Sequence, residues 1–318
     1  GWRSIFWVAA LGGGFGLLLL RGTPESRAPA KPGWRFDLPG VLAFMVAMLA
    51  LQVLVIEGAA LGWTSPTALA LLAMAVIAGA LFVVVERRSA HAFFDFALFR
   101  NRTYAGATLS NFLVNGAAGT LVVSLQLVQV GGGMDAQQAG LLTLGYAAAI
   151  IGFIRVGEKL LQRFGPRQPM VWGCAITAIG ILLLMPTHLQ LEQYRVLALA
   201  GFTLFGLGLA FYATPSTDAA LSNLPAAQTG AGAGIYKMAS SLGAAFGVAI
   251  SAAVFTGLGR KGVDWLDAVV NHAGREDNHA LREAASVALA CNLLMVLLAI
   301  AAILATIPKT GPARPSSS

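Results

Sequence analysis

Charged residues are scarce in this sequence. Asp, Glu, Lys and Arg make up 11% of the 318 residues, while hydrophobic residues make up 57%. Soluble domains typically carry about 25% charged residues. A water-soluble fold of this length would lack the polar surface that it needs, which excludes a compact soluble enzyme. The composition therefore predicts an integral membrane protein.

Cysteine and histidine are also rare. The two cysteines, Cys174 and Cys291, lie inside apolar runs, so we expect neither a disulfide framework nor a zinc site. The four histidines lie in loops or at the ends of apolar runs, which argues against catalysis inside the bilayer. We expect no enzyme activity, no cofactor and no bound metal. The basic residues are dispersed over loops, which predicts no nucleic-acid partner.

Apolar runs are what the sequence has instead. A bilayer-spanning helix takes about 20 apolar residues, and nine runs approach or exceed that length. They predict an all-helical, polytopic membrane protein with nine transmembrane helices. Pro215 predicts the end of the seventh run, and a short interfacial helix is plausible within 259–285. The runs fall at about 4–21, 38–57, 65–85, 104–130, 138–158, 169–187, 193–213, 234–258 and 286–306.

The distribution of Lys and Arg predicts the orientation. If the nine runs alternate in direction, fifteen of the 21 basic residues fall on one side of the membrane and six on the other. Basic residues favour the cytoplasmic side. We therefore expect a multi-pass protein of a bacterial-type cytoplasmic (inner) membrane, with the Gly1 end outside and the C-terminus in the cytoplasm.

Three groups of residues, in their order and spacing, resemble a known family. They are Trp2, Arg3, Ile5, Phe6 and Gly13; Asp37, Gly40, Gly58, Gly62 and Trp63; and Arg87, Arg88, Asp95, Leu98, Phe99, Arg100, Asn101 and Arg102. The groups are similar to segments of the fourteen-span drug:proton antiporters of the major facilitator superfamily. The resemblance covers the whole chain. It implies a C-terminal fragment that starts just before the sixth helix and lacks about the first five.

The resemblance also implies a division of the chain. It predicts one helix from the N-terminal bundle, an inserted helix pair, and a complete C-terminal bundle of six helices, joined by cytoplasmic segments. The corresponding ranges are 1–21 for the last helix of the N-terminal bundle, 22–37 for a cytoplasmic connector, 38–85 for the inserted pair, 86–103 for a second connector, 104–306 for the C-terminal six-helix bundle and 307–318 for the cytoplasmic tail.

Several polar and aromatic residues within the runs are candidates for a substrate cavity. Asn111 and Asn115 are four residues apart and share a helix face, and Gln126 follows on the same run. Polar groups at membrane depth line cavities or bond neighbouring helices, and both uses remain open here. Tyr146 and Tyr212 offer aromatic surface to an apolar substrate. Tyr212 can equally belong to an interfacial belt.

Lys237 is the basic candidate for the cavity. It lies about one turn inside the eighth run, where a charge is costly unless it pairs or snorkels to the interface. Both interpretations remain open. Some of the similar exporters of cationic drugs hold a carboxylate near this place, so a lysine argues against a strongly dicationic substrate.

The segment 157–167 resembles the short cytoplasmic gate loop of the superfamily. That loop combines an acidic residue, basic residues and a glycine turn. Here Gln162 occupies the usual aspartate position, and Glu158 lies one turn earlier as a substitute. A positive-inside anchor without a gating role is the alternative. The gating candidates are Gly157, Glu158, Arg163, Gly165 and Arg167.

Acidic residues are nearly absent from the runs. Only Glu57 and Glu158 fall inside a run, and each is its last residue. Proton coupling needs a titratable group that senses both sides of the membrane. We therefore expect the main coupling carboxylate in the helices that the resemblance implies to be missing.

The resemblance implies secondary-active, proton-coupled export of drugs or other amphipathic small molecules by alternating access. The expected partners are the lipid bilayer, an amphipathic small-molecule substrate and protons. A truncated or partner-dependent membrane protein without transport activity of its own is the alternative. A channel is disfavoured because the sequence shows neither a re-entrant filter nor a ring of like charge.

Overall fold

The computed structural model describes residues 3–21, 37–89, 94–259 and 278–309. Within these ranges every regular element is helical and none is a strand, which confirms the predicted all-helical, polytopic fold. A 3-10 helix, Phe96–Arg100, precedes α4, and a π-helix, Leu127–Gly131, follows α5. The α-helices are α1 (Arg3–Leu20), α2 (Leu38–Leu61), α3 (Pro66–Arg88), α4 (Arg102–Gly116), α5 (Gly119–Gln126), α6 (Ala136–Leu141), α7 (Leu144–Phe164), α8 (Arg167–Leu184), α9 (Leu191–Leu221), α10 (Ala226–Leu258) and α11 (His279–Thr306).

Eight helical segments in the described part of the chain are long and apolar enough to cross a membrane. The ninth predicted run corresponds to α1, whose apolar part, Phe6–Leu20, is shorter. Two of the eight spans are composite, since Arg102–Gly131 joins α4, α5 and the π-helix, and Ala136–Phe164 joins α6 and α7. Residues 1–36 and residues 37–318 form separate compact units.

Three predicted segments lie largely outside the described residues. They are the connector 22–37, of which the structure describes Asp37, the interfacial helix within 259–285, and the tail 307–318 beyond residue 309. Asp37 is the N-cap of α2, and its Oδ1 accepts a hydrogen bond of 3.1 Å from the Gly40 amide. Side-chain caps of this kind satisfy amides that the first helical turn leaves unpaired.

The long helix α9 corrects the prediction for Pro215. The sequence predicted that this proline ends the seventh run, but α9 continues through it to Leu221. A proline removes one backbone hydrogen bond, whereas an irregular segment at membrane depth would leave several polar groups unpaired. Continuing the helix is therefore the less costly choice. Neither Ser216 nor Asp218 caps a following helix, because both lie within α9.

Glycines set the distance between α8 and α9. A Cβ added at Gly173 would lie 2.6 Å from the Gly208 carbonyl oxygen, and one at Gly180 would lie 2.7 Å from the Gly201 carbonyl oxygen. The two glycine pairs are seven residues apart on each helix, which is about two turns. Small residues let membrane helices approach until their backbones touch. The α8–α9 contact is therefore fixed by backbone against backbone.

A second close contact joins α4 and α10. A Cβ at Gly243 or at Gly247 would overlap the α4 backbone, at Phe112 and Gly116 respectively. Farther along, the Ser251 hydroxyl donates a hydrogen bond of 3.1 Å to the Asn292 side-chain oxygen, which ties α10 to α11. The buried core lies among α4, α8, α9, α10 and α11. These contacts hold rigid helices around the candidate site.

The helices α2 and α3 pack mainly against each other, and α2 also contacts α10. In that contact Gln52 Nε2 donates to the Ala245 carbonyl oxygen over 3.5 Å. Large apolar side chains of both helices, such as Leu49 and Ile77, are exposed. An exposed apolar face on a membrane helix is suited to contact with lipid or with another helix.

Candidate functional site

Four helices surround a cavity of about 260 Å³ in the unit formed by residues 37–318. The walls come from α4, α7, α9 and α10. The structure brings four of the predicted cavity residues to it, namely Asn111, Asn115, Tyr212 and Lys237. The other lining residues are Ile150, Ile154, Leu209, Ala210, Ala213, Thr217, Tyr236 and Ser240.

The two asparagines form a bonded pair on α4. Asn115 Nδ2 donates to the main-chain oxygen of Asn111 over 2.8 Å and to its side-chain oxygen over 2.9 Å. Asn111 is buried, and its own Nδ2 donates to the Tyr236 carbonyl oxygen over 3.1 Å. Asn111 therefore also connects α4 to α10. Both interpretations of this pair hold geometrically, since it lines the cavity and bonds a neighbouring helix.

Two buried tyrosines belong to the cavity wall. The Tyr212 hydroxyl lies 2.8 Å from Ser110 Oγ, and the Tyr236 hydroxyl donates to Ser216 Oγ over 2.7 Å. Both side chains are at most 2% exposed. Tyr212 is therefore a core residue, not a member of an interfacial belt. Hydroxyls with partners of this kind cost little to bury.

Lys237 lies deeper in the membrane segment than its run predicted. The eighth run begins at about 234, but α10 begins at Ala226, so Lys237 follows the helix start by eleven residues. At 1.5 Å per residue this is about 16 Å along the helix. The side chain is exposed to the cavity, and Nζ lies 6.0 Å from the centre of the Tyr236 ring. The earlier position of one turn inside the helix is wrong because polar residues 226–233 are also helical.

Two predicted cavity residues do not line it. Gln126 is the last residue of α5, eleven positions beyond Asn115 and past the break between α4 and α5 at residues 117–118. Tyr146 packs against α9, with its ring centre 6.1 Å from that of Phe205. The predicted run 104–130 treated α4 and α5 as one straight helix, and the break moves Gln126 away.

The apolar wall was not predicted. Ile150 and Ile154 are one turn apart on α7, and Leu209 and Ala213 are one turn apart on α9. Their i, i+4 spacing places each pair on one helix face. Many other pairs in these apolar runs have the same spacing, so the pattern alone does not select the pairs that face the cavity.

The sequence matches the model of a protein family described as Major Facilitator Superfamily, over residues 1–248 and again over residues 103–316. The chain belongs to the Major Facilitator Superfamily. This is a family of membrane transporters, not of enzymes. The family assignment agrees with the helical fold and with a cavity enclosed by several helices.

Two similar proteins are quinolone resistance proteins NorB of Staphylococcus aureus. That of strain MRSA252 is 41% identical over 309 residues, which are 97% of this chain and 63% of the relative. That of strain JH9 is 44% identical over 255 residues, which are 80% of this chain and 55% of the relative. The chain thus spans between half and two thirds of the length of these curated relatives.

The predicted gate segment of this superfamily member forms the end of α7 and the start of α8. Gly165 has φ 71° and ψ 179° and ends α7, its amide donating to the Leu161 carbonyl oxygen over 2.8 Å. Arg167 Nη2 donates to the Leu304 carbonyl oxygen over 2.9 Å, near the C-terminal end of α11. Arginine at a helix C-terminus interacts favourably with the helix dipole. Arg167 therefore joins the segment to the last helix.

The other gate candidates have different surroundings. Gly157 is buried against the α9 backbone at Ala210, which makes it a packing glycine. The Arg163 guanidinium lies 5.2 Å from the centre of the Phe164 ring, and Glu158 is exposed. Among the described residues no ion pair involves Glu158. A latch between Glu158 and the arginines stays a prediction.

Buried charges near the start of α11 correct the acidic-residue inventory. The predicted run began at about 286, but α11 begins at His279, which places Arg282 and Glu283 inside a helix. Both are buried, and Glu283 Oε1 lies 3.3 Å from His279 Nδ1. The Arg282 guanidinium donates to the Thr187 carbonyl oxygen. The run boundary was wrong because charged residues lowered the hydropathy of a segment whose charges have partners.

Glu86 is a second acidic residue inside a helix. It is 3% exposed near the end of α3, and its Oε2 accepts a hydrogen bond of 3.3 Å from the Phe94 amide. Neither Glu86 nor Glu283 lines the cavity. In the described part of the chain, no group of three or more His, Cys, Asp or Glu side chains is arranged to hold a metal ion.

Proposed function

We propose that the chain contributes the substrate-binding bundle of a secondary-active exporter that moves amphipathic small molecules, including drugs, across the cytoplasmic membrane. The observation that carries the proposal is the cavity of about 260 Å³, which combines an apolar wall with a few polar groups. Ligand pockets typically have this mixture, in which apolar walls supply affinity and polar groups supply orientation. The names of the similar NorB proteins also support a drug as substrate.

The proposed division of the chain follows the fourteen-span antiporters. Residues 104–306 are the C-terminal six-helix bundle, 38–85 the inserted pair and 1–21 the last helix of the N-terminal bundle. The packing of α2 and α3 mainly on each other supports the inserted pair. The excess of basic residues on one side supports a cytoplasmic C-terminus.

Alternating access and proton coupling complete the proposal. Transporters of this kind rock two bundles against each other around a site near the midplane. Helices with backbone-to-backbone contacts, such as α8 and α9, suit movement as a rigid body. Because no acidic residue lines the described cavity, we place the coupling carboxylate outside it.

Binding and export by the 318-residue chain test the proposal separately. Norfloxacin binding is measured on the purified chain in lipid nanodiscs, and norfloxacin accumulation in cells of a host that lacks its own drug exporters. Ile154→Trp fills the cavity, whereas Ile151→Trp changes a residue of the same helix that is 78% exposed and does not line it. We expect binding and lowered accumulation with the natural sequence and with Ile151→Trp, and loss of both with Ile154→Trp.

The outcomes separate the two candidate functions. Export that a protonophore abolishes supports the proton-coupled exporter. Binding that Ile154→Trp removes, without export by any variant, favours the alternative of a partner-dependent membrane protein. Absence of norfloxacin binding to the natural sequence, or equal binding by both tryptophan variants, contradicts a substrate site in this cavity.

A further inference from the structure

Lys237 is the one charged residue among those that line the described cavity. The remaining lining residues are apolar or carry neutral amide and hydroxyl groups. A charge in a low-dielectric wall acts more strongly on a ligand than the same charge in water. The sign of the cavity is therefore set by a single ammonium group.

This ammonium has no acidic partner in the described part of the chain. The contact of Nζ is the Tyr236 ring, whose centre lies 6.0 Å away. The nearest acidic residue along α9, Asp218, is bonded to Ser222 Oγ over 2.6 Å. A charge at membrane depth is costly unless it is paired. A negative group on a ligand would supply the missing partner.

The depth of Lys237 argues against simple snorkelling towards the start of α10. It lies about 16 Å from that end, a distance much greater than a stem of four methylene groups can cover. The side chain is instead exposed beside the cavity, on the wall opposite no other charge. The position therefore suits contact with a bound molecule.

The amide hydrogens of the neighbouring asparagines are already used within the protein. Asn115 donates to Asn111, and Asn111 donates to the Tyr236 carbonyl oxygen. The Lys237 ammonium thus remains as the strong donor available to a ligand. Across the cavity, Ile150, Ile154 and Leu209 offer apolar surface. One cationic group facing an apolar wall matches a molecule with one anionic group and a hydrophobic body.

We propose that the cavity takes amphipathic substrates that carry a carboxylate, and that this carboxylate pairs with Lys237 while the apolar body packs against α7 and α9. The inference rests on the proposed function and gives the substrate class of the same cavity. It goes beyond disfavouring dications, because it assigns an attractive role to Lys237 and a specific chemical group to the substrate.

The test compares a carboxylic acid with its uncharged ester. Binding of nalidixic acid and of its ethyl ester is measured on the 318-residue chain in nanodiscs of zwitterionic lipid. We expect the acid to bind about tenfold more tightly than the ester, as one charge-assisted contact allows. Lys237→Met removes this advantage by weakening the acid alone, and Lys237→Arg preserves it. Lys309→Met, which removes an exposed lysine beyond α11, changes neither ligand.

Each result decides between the proposals. Equal binding of acid and ester to the natural sequence overturns the carboxylate assignment and leaves the cavity as a neutral drug site. An equal loss of both ligands in Lys237→Met also overturns it, because the residue is then structural. If neither compound binds, while norfloxacin also fails to bind, the proposed function itself is contradicted.

Discussion

The glycine contact between α8 and α9 yields a quantitative prediction for Gly180→Ala. The new Cβ would lie 2.7 Å from the Gly201 carbonyl oxygen and 2.9 Å from the Phe205 amide nitrogen, whereas ordinary contacts begin near 3.4 Å. Both neighbours are backbone atoms, so no side chain can rotate away. The helices must separate by about 0.7 Å, and overpacking of this kind typically costs about 1–3 kcal/mol.

Gly152→Ala is the matched control. Gly152 lies on α7, is exposed, and a Cβ there would meet no atom within 4 Å. Both substitutions gain about 1 kcal/mol of helix propensity. The difference in free energy of unfolding between the variants therefore isolates the steric cost. We expect Gly180→Ala to be less stable than Gly152→Ala by about 2 kcal/mol, or about 4–8 °C in Tm.

A thiol-reactive fluorophore provides the assay. Cys174 lies on α8 and is fully buried, so it reacts only when the helices come apart. Cys291 is partly exposed and is replaced by alanine in every variant to remove its signal. Equal melting temperatures for Gly180→Ala and Gly152→Ala would refute the reasoning, because the two helices would then not touch through these glycines.

Two further predictions concern backbone conformation and buried charge, each read from the same melting assay. Gly165 has φ 71° and ψ 179°, a region that is essentially restricted to glycine, so Gly165→Ala should cost about 1–3 kcal/mol while Gly140→Ala, at an exposed and open position, should not destabilise; equal stability would mean that the turn after α7 has another conformation. Arg282→Met removes a buried charged donor from the Thr187 carbonyl and should cost about 2 kcal/mol, whereas Arg195→Met, which breaks an exposed ion pair with Glu192, should cost about 0.5 kcal/mol. Equal losses for the two arginine variants would contradict a structural role for Arg282.

The sequence predicted the helices well because their signal is local. Apolar runs identify membrane spans regardless of the rest of the fold, since every backbone group in the bilayer has to be bonded within its own segment. The ends were less predictable. Gln228 and Thr229 lower the hydropathy near the start of α10, yet they are helical, and this moved Lys237 from one turn to three turns inside the helix. Pro215 failed as a boundary for the same physical reason.

The cavity was predicted in part, and the division has a structural cause. Asn111 and Asn115 share a face at i, i+4 spacing, so one correct placement brought both to the cavity. Gln126 and Tyr146 depended on helix geometry that no local pattern encodes. A break after Gly116 removed the first, and the rotation of α7 turned the second towards Phe205. Which face of a membrane helix meets a cavity is decided by its packing partners.

The packing of α9 connects stability with the candidate site. One face of α9 carries Gly201 and Gly208 against α8, while Ala210 meets Gly157 of α7. Leu209 and Ala213 occupy the remaining surface and line the cavity. Because backbone contacts on two sides fix the rotation of α9, the cavity wall cannot turn without separating helices whose backbones touch. Movement during transport would then displace α7, α8 and α9 together, and the exposed Lys237 on α10 would approach or leave the apolar wall as a whole.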